Sequence, residues 1–175
     1  MRLFTLSRLV TLAALAAALV SLAVALGVAS AGTSQHAKQA CVRGQALLER
    51  NKANVVAYYE TAFNDKNPRL AVELYGGDEY IQHNPLADNG FDAFIQFVET
   101  FTSAFPDTHI DIRRVIAECD MVVTHGVLTG AAYGEFGSKV VDIFRLDANG
   151  KIVEHWDVLA AQVDPATSAN GNPEV

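Results

Sequence analysis

Two aspartates and two histidines carry most of the chemistry open to this sequence: Asp142, Asp157, His125 and His155. All four fall in stretches that alternate apolar and polar residues, the period of a half-buried strand. An imidazole titrates near neutrality, and a carboxylate in an apolar pocket becomes a usable acid or base there; together they are the minimum equipment for moving a proton. Such a site can take a proton from a carbon beside a carbonyl and return one to the developing oxyanion. No nucleophile elbow, phosphate loop or dinucleotide fingerprint offers a competing chemistry. With two cysteines and no Cys/His cluster, a structural zinc site has no support. His83, His125 and His155 with the two aspartates could hold a metal, but nothing in their spacing requires one. No metal and no cofactor are therefore expected.

Whether these groups meet depends on the hairpins that align them. Strand-like stretches run over 109–118, 121–131, 138–146 and 151–160. Asn149-Gly150 is the strongest turn signal; as a two-residue turn it sets Asp142 opposite Asp157 and Phe144 opposite His155. A two-residue turn at Tyr133-Gly134 sets His125 opposite Asp142, and one at Cys119-Asp120 sets Arg114 opposite His125. The expected row is His125, Asp142 and Asp157 across three strands, with His155 beside it and Cβ atoms about 4.5–5.5 Å apart between neighbours. It shares a face with Val123, Val127, Val140, Phe144, Leu146, Val153 and Leu159. Burying an unpaired charge costs several kcal/mol, so polar groups on such a face point to a pocket. Other registers stay open. Tyr133 suits a positive φ poorly, a bulge near Gly137 would shift the pairing, and a one-residue slip would turn Trp156 inward and Asp157 outward. A satisfied core pair of His125 with Asp142, a solvent-facing Asp157 and a turn-capping His83 are the structural alternatives.

The elements upstream are helical. Apolar residues recur at helical spacing over 43–66; Asn67-Pro68 breaks that helix and Pro68 opens a short second one to Tyr75. Tyr80-Ile81-Gln82-His83 is extended and stops at Asn84-Pro85. Asp88-Asn89-Gly90 is a turn, and a third helix runs from Phe91 to Ala104. Helices first and hairpin-linked strands after imply an α+β fold with a mainly antiparallel sheet.

The N-terminus reads as an export signal. Arg2 and Arg8 precede an apolar run from Leu9 to Val28, and Ala29-Ser30-Ala31 supplies the small residues of a cleavage site. Residues 1–31 are expected to be a signal peptide, 32–42 a linker, 43–163 the domain and 164–175 a loose tail. An uncleaved membrane anchor is the alternative, because the run is long enough to span. Cleavage removes two of the 13 basic residues and none of the 20 acidic ones, leaving a chain more acidic than the formal −7 of the whole. That balance argues against nucleic acid or an anionic membrane surface as partner. Export makes a Cys41–Cys119 disulfide chemically possible, and closing so long a loop would contribute roughly 4 kcal/mol.

The segments Tyr80-Ile81-Gln82-His83-Asn84-Pro85, Val141-Asp142-Ile143-Phe144-Arg145-Leu146 and Gly150-Lys151-Ile152-Val153-Glu154-His155-Trp156-Asp157-Val158 resemble the SnoaL-like polyketide cyclase group of the nuclear-transport-factor-2-like superfamily. The resemblance covers about residues 50–162. It implies a cone-shaped α+β barrel, with N-terminal helices packed on a curved sheet around a cavity, and often a homodimer formed through the sheet. It also implies cofactor-free aldol ring closure, with Asp157 as the match for the acid/base aspartate of the last strand. The expected catalytic set is Asp157, His125, Asp142 and His83, with His155, Tyr58, Phe144 and Trp156 contacting a small hydrophobic or carbonyl-containing ligand. A non-catalytic ligand-binding module of the same fold is the second reading.

Overall fold

A computed structural model describes residues 44–131 and 134–175. The expected signal peptide and linker, and Cys41 with any bridge to Cys119, lie outside the described residues. Among the described residues no helix is long and apolar enough to cross a membrane.

Helix α1 (Gln45–Tyr59) runs into a π-helical turn, Glu60–Asn64, and then α2 (Pro68–Tyr75), strand β1 (Gly76–Gln82) and α3 (Phe91–Ala104) follow. Four strands complete the chain: β2 (His109–Glu118), β3 (Met121–Thr129), β4 (Ser138–Leu146) and β5 (Ile152–Ala161). They form one open five-stranded sheet in the order β1-β5-β4-β3-β2. Only β1 pairs in parallel, along β5; the other pairs are antiparallel. The helices bury Val55, Tyr58, Tyr59, Phe63, Phe94 and Val98 against the sheet's inner face. This is the α+β arrangement anticipated from the sequence.

Local chemistry explains the boundaries. Asn67 caps α2 by accepting the Leu70 N–H at 3.2 Å, and Pro68 fills the first helical position, where no donor is needed. In α3 the residues Phe94, Ile95, Val98 and Thr102 form the buried stripe. At the π turn, the Asp65 N–H reaches back to Glu60 O at 2.9 Å. Asn64 then clamps the edge strand: its amide donates to Ile110 O at 2.9 Å and its carbonyl accepts the Ile110 N–H at 2.8 Å. The helical layer is thereby fastened to β2 with the geometry of a strand partner.

Two of the three hairpins take the expected register. Asp142 pairs with Asp157, Phe144 with His155, and Arg145 with Glu154. A bulge between Arg145 and Leu146 follows, and the Asp147 N–H donates to Lys151 O at 2.8 Å. The connection is therefore the three residues Ala148-Asn149-Gly150, with Gly150 at φ 80°, and not the expected two-residue turn. Arg114 pairs with His125, although a bulge interrupts β2 between Ile112 and Arg114. The middle hairpin differs by one residue: Thr124, not His125, stands opposite Asp142, and His125 pairs with Val141. The cause is the connection. Leu128 already pairs with Ser138, and the described part of the connection uses Gly130, Gly134 and Gly137 at φ 71°, 95° and 77°. A slip of one residue exchanges the faces of a strand. Val122, Thr124, Gly126 and Leu128 therefore point inward, while Val123, His125 and Val127 stand on the outer face.

Glu174 forms an ion pair with Lys139 of β4 and accepts the Val163 N–H at 2.8 Å.

Gly126 pairs with Ile112 beside the bulge, with no room for a side chain. A Cβ there would lie 2.5 Å from Asp111 O and 3.1 Å from Ile112 Cα, both backbone atoms that cannot swing aside. Gly126→Ala is expected to destabilise the protein by about 1–3 kcal/mol. A lowered denaturant midpoint at unchanged slope is the readout; an unchanged midpoint would mean that the two strands separate there at no cost.

Candidate functional site

A cavity of about 220 Å³ opens between the inner face of the sheet and the helices. The period-two alternation of β4 and β5 sends Val140 and Asp142, and His155, Asp157 and Leu159, into its lining. Tyr59 and Phe63 come from the α1–π junction, Phe94, Phe97 and Phe101 from successive turns of α3, and Gln82 and Asn84 from the end of β1. Ile110 and Leu128 line the part furthest along β2 and β3.

Asp142 is the most constrained polar group in this lining, with 3 % of its surface exposed. The Tyr59 hydroxyl lies 2.9 Å from its Oδ1, and the Thr124 hydroxyl donates to its Oδ2 at 3.2 Å. His155, also buried, brings Nε2 to 3.3 Å from the same Oδ1 and to 3.0 Å from the Tyr59 oxygen. Burial first, and then the charge of Asp142, push the Tyr59 hydroxyl well above the ordinary tyrosine range, so it remains an O–H. On the far side of the ring, His155 Nδ1 lies 2.9 Å from Gln82 Oε1. That oxygen also accepts the Asn84 backbone N–H at 2.9 Å, and the Gln82 amide nitrogen donates to Tyr80 OH at 3.3 Å. The glutamine is thus fixed with its carbonyl toward the ring, and Nδ1 must carry a proton.

One proton is then left to place. With Nδ1 protonated and Nε2 bare, two acceptors, His155 Nε2 and Asp142 Oδ1, would compete for the single Tyr59 hydroxyl hydrogen. A second proton on the His155–Asp142 pair satisfies every contact: the imidazole or the carboxyl donates, and Tyr59 bridges the two. The geometry therefore describes a proton-holding unit with one face on the cavity.

Asp157 stands directly opposite Asp142 and is only partly buried. The Asn84 amide donates to its Oδ2 at 2.5 Å, and Asn84 is oriented by the Leu86 N–H, which donates to its Oδ1 at 2.8 Å. Asp142, His155 and Asp157 offer ligand atoms that all lie within 4.8 Å of one another. They are the described residues best placed to hold a divalent cation, which would replace the proton that the pair otherwise keeps.

The sequence-derived candidates separate into two groups. Asp142, His155 and Asp157 come together in the cavity. Phe144 is fully buried beneath them, with ring centroids 5.1 Å from Tyr59 and 4.9 Å from His155, so it supports the site from below instead of contacting a ligand. Tyr58 is likewise sealed in the core, stacked on Phe94 at 5.0 Å; the cavity is lined by its neighbour Tyr59. His125, His83 and Trp156 lie on the outer face. The one-residue offset of β3 puts His125 there, where Arg114 Nη1 donates to its Nδ1 at 3.2 Å. His83 stacks on Trp156 at 4.6 Å and donates to Glu154 Oε1 at 2.9 Å, so it caps an outer cluster completed by Arg145, which donates to Glu154 Oε2 at 2.5 Å. Tyr59, Thr124, Gln82 and Asn84 were missed. The last two had a signal: in Tyr80-Ile81-Gln82-His83-Asn84 a period of two puts Tyr80, Gln82 and Asn84 on one face and His83 on the other.

Two measurements check these assignments. Tyr59→Phe removes a buried donor shared by Asp142 and His155, and is expected to cost about 1–3 kcal/mol in urea unfolding. On the outer face, burial raises the Glu154 carboxyl, but hydrogen bonds from His83 and Arg145 outweigh it and leave the group below its usual 4.5. A depressed folded pKa stabilises the fold above the unfolded value, and that contribution is lost as pH falls through the folded value. The stability gap between wild type and Glu154→Gln should therefore be present above about pH 5 and close in more acid solution; a gap that persists unchanged into acid would contradict the ion cluster.

The model of the SnoaL-like domain family matches residues 55–155, more than half of the chain. No curated protein matches the sequence. Among solved structures, a protein from Jannaschia sp. CCS1 assigned as a SnoaL-like polyketide cyclase superposes with a TM-score of 0.56 at 22% identity, covering 67% of this chain and 89% of that one. TsrD from Streptomyces laurentii gives 0.51 at 21% identity, covering 66% and 90%. AclR from Streptomyces galilaeus, assigned as a hydroxylase, gives 0.52 at 22% identity, covering 65% and 81%. At these identities the structural matches show a shared fold.

Proposed function

This chain belongs to the SnoaL-like domain family, and we propose that within it the protein is a cofactor-free acid/base enzyme of cyclase or isomerase type acting on a small carbonyl compound. The observation that carries this reading is the placement of two carboxylates and one imidazole, Asp142, Asp157 and His155, at one end of an otherwise apolar cavity. Asp157, oriented by Asn84, is the base that takes a proton from the carbon beside the substrate carbonyl. The electron pair of that C–H bond moves into the C–C bond and the carbonyl oxygen becomes an enolate oxygen. The Tyr59–His155–Asp142 unit faces that oxygen and supplies its proton, with Tyr59 donating as a neutral phenol. The enol carbon then attacks a second carbonyl, closing a ring, or is reprotonated elsewhere, giving an isomer. As the first carbonyl re-forms, the enol O–H proton goes back to the Tyr59–His155–Asp142 unit. Asp157 gives its proton to the new alkoxide or, in an isomerisation, to the other carbon, so both groups end as they began.

The same reading places the protein outside the cytoplasm, on the strength of the apolar run Leu9–Val28 and the Ala29-Ser30-Ala31 triplet. It also takes the protein as a homodimer through the outer face of the sheet, supported by Ile116 and Val158, each 66 % exposed.

The test is hydrogen exchange at the carbon beside the carbonyl of 1-tetralone, followed by NMR in heavy water. Wild type should accelerate it, and Asp157→Asn should lower the acceleration by about 10²–10⁴-fold with an unchanged melting temperature. Full activity in that variant would remove Asp157 from its role. Binding of the ketone by wild type without any exchange would favour a ligand-binding module.

A further inference from the structure

The cavity also limits what can enter it. Its volume, about 220 Å³, exceeds the roughly 150 Å³ that holds a single benzene ring and falls short of the ~300–1,000 Å³ typical of sites for drug-sized ligands. One substituted ring or two fused rings fit; a flat system of four rings does not.

The lining is graded along the strands. On β5 the inward series runs His155, Asp157, Leu159, and on β4 the matching series runs Phe144, Asp142, Val140, with Asp142 facing Asp157 and Val140 facing Leu159. Beyond them Leu128 pairs with Ile110 across β3 and β2. Polar atoms from Tyr59, Gln82 and Asn84 join the first end; Phe97 and Phe101 belong with the apolar lining. A ligand that fills this space has one polar end and an otherwise hydrocarbon body.

Charge narrows the class further. Among the described residues the lining holds two aspartates and one histidine, and no lysine or arginine. A carboxylate or phosphate on the ligand would meet Asp142 and Asp157 without a guanidinium or ammonium to pair with, and desolvating an unpaired anion is costly. Leu86 lines the cavity while 73 % exposed, which places it at the mouth as an apolar threshold.

Resting on the proposed catalytic reading, we infer that the substrate is an uncharged ketone or aldehyde of one ring or two fused rings. It enters hydrocarbon end toward Leu159, Val140 and Leu128, with its carbonyl against Tyr59, His155 and Asp157. The class of reaction that supplies it must deliver a neutral, already released carbonyl compound, not an acyl group on a phosphate-bearing carrier.

Titration calorimetry on the purified protein with three probes tests this. 1-Tetralone should bind; 1-tetralone bearing a ring carboxylate should bind at least tenfold more weakly; the four-ring ketone androstenedione should show no binding. Leu159→Trp, at the partly exposed apolar end, should weaken 1-tetralone at least tenfold and the smaller cyclohexanone by less. Equal affinity for the carboxylated ketone, binding of androstenedione as tight as that of 1-tetralone, or no binding of 1-tetralone would each overturn the inference. The catalytic reading fails separately: the predicted order of affinities without exchange beside the carbonyl keeps the ligand class and removes the enzyme. Accelerated exchange in androstenedione and 1-tetralone alike keeps the enzyme and removes the class.

Discussion

A carboxylate shut almost completely away from water has to be paired, and the pairing of Asp142 organises this protein. Its two oxygens draw on Tyr59 from the end of α1, Thr124 from β3 and His155 from β5. An uncompensated charge in that position would cost several kcal/mol, a large share of the stability of a domain this size. Each partner depends on a different feature of the backbone. The π turn follows Tyr59 directly and is pinned to β2 by Asn64. The glycine-rich β3–β4 loop sets the register that turns Thr124 inward. The Asn149-Gly150 hairpin brings His155 beside Phe144 and Asp157 opposite Asp142. Satisfying one carboxylate thus ties the helical layer to three strands, and the same bonds leave a proton-bearing group at the cavity wall.

The sheet separates two chemistries by its pleat. On the inner face of β5, His155 and Asp157 meet the cavity; on the outer face, Glu154 and Trp156 meet His83 and Arg145. Alternate residues of one strand therefore serve the cavity on one face and an ion cluster on the other. β1 couples the two, because Gln82 reaches His155 from one side while His83 reaches Glu154 from the other. The parallel pairing of β1 with β5, Gln82 beside His155 and Ile81 beside Glu154, makes that division possible.

Much of this was legible in the sequence because it rests on period and turn chemistry. The three helices, the strand limits and the Asp142–Asp157 pairing follow from apolar spacing and from the turn signal Asn149-Gly150, whose glycine takes the positive φ. His125 was placed on the wrong face because the loop around Tyr133 has no turn signal as specific, and one residue of offset is enough to exchange the faces. Tyr58 and Tyr59 are adjacent aromatic residues on a helix, and sequence alone could not say which would face the cavity, since both are buried. His83 is the titratable residue of the extended segment, yet its neighbours Gln82 and Asn84 are the ones that reach the site. Residue type pointed to histidine, whereas alternation within the strand pointed to the amides.

The central claim is that Gln82 holds a proton on Nδ1 of His155, so that the His155–Asp142 pair carries one more. Nitrogen-15 NMR of the histidine ring, in protein with His155 assigned by substitution, tests it most directly. The account predicts a protonated Nδ1, facing Gln82 Oε1, and an Nε2 whose shift reports a hydrogen bond shared with Asp142 and Tyr59. A bare Nδ1, with the proton on Nε2 alone, would contradict it.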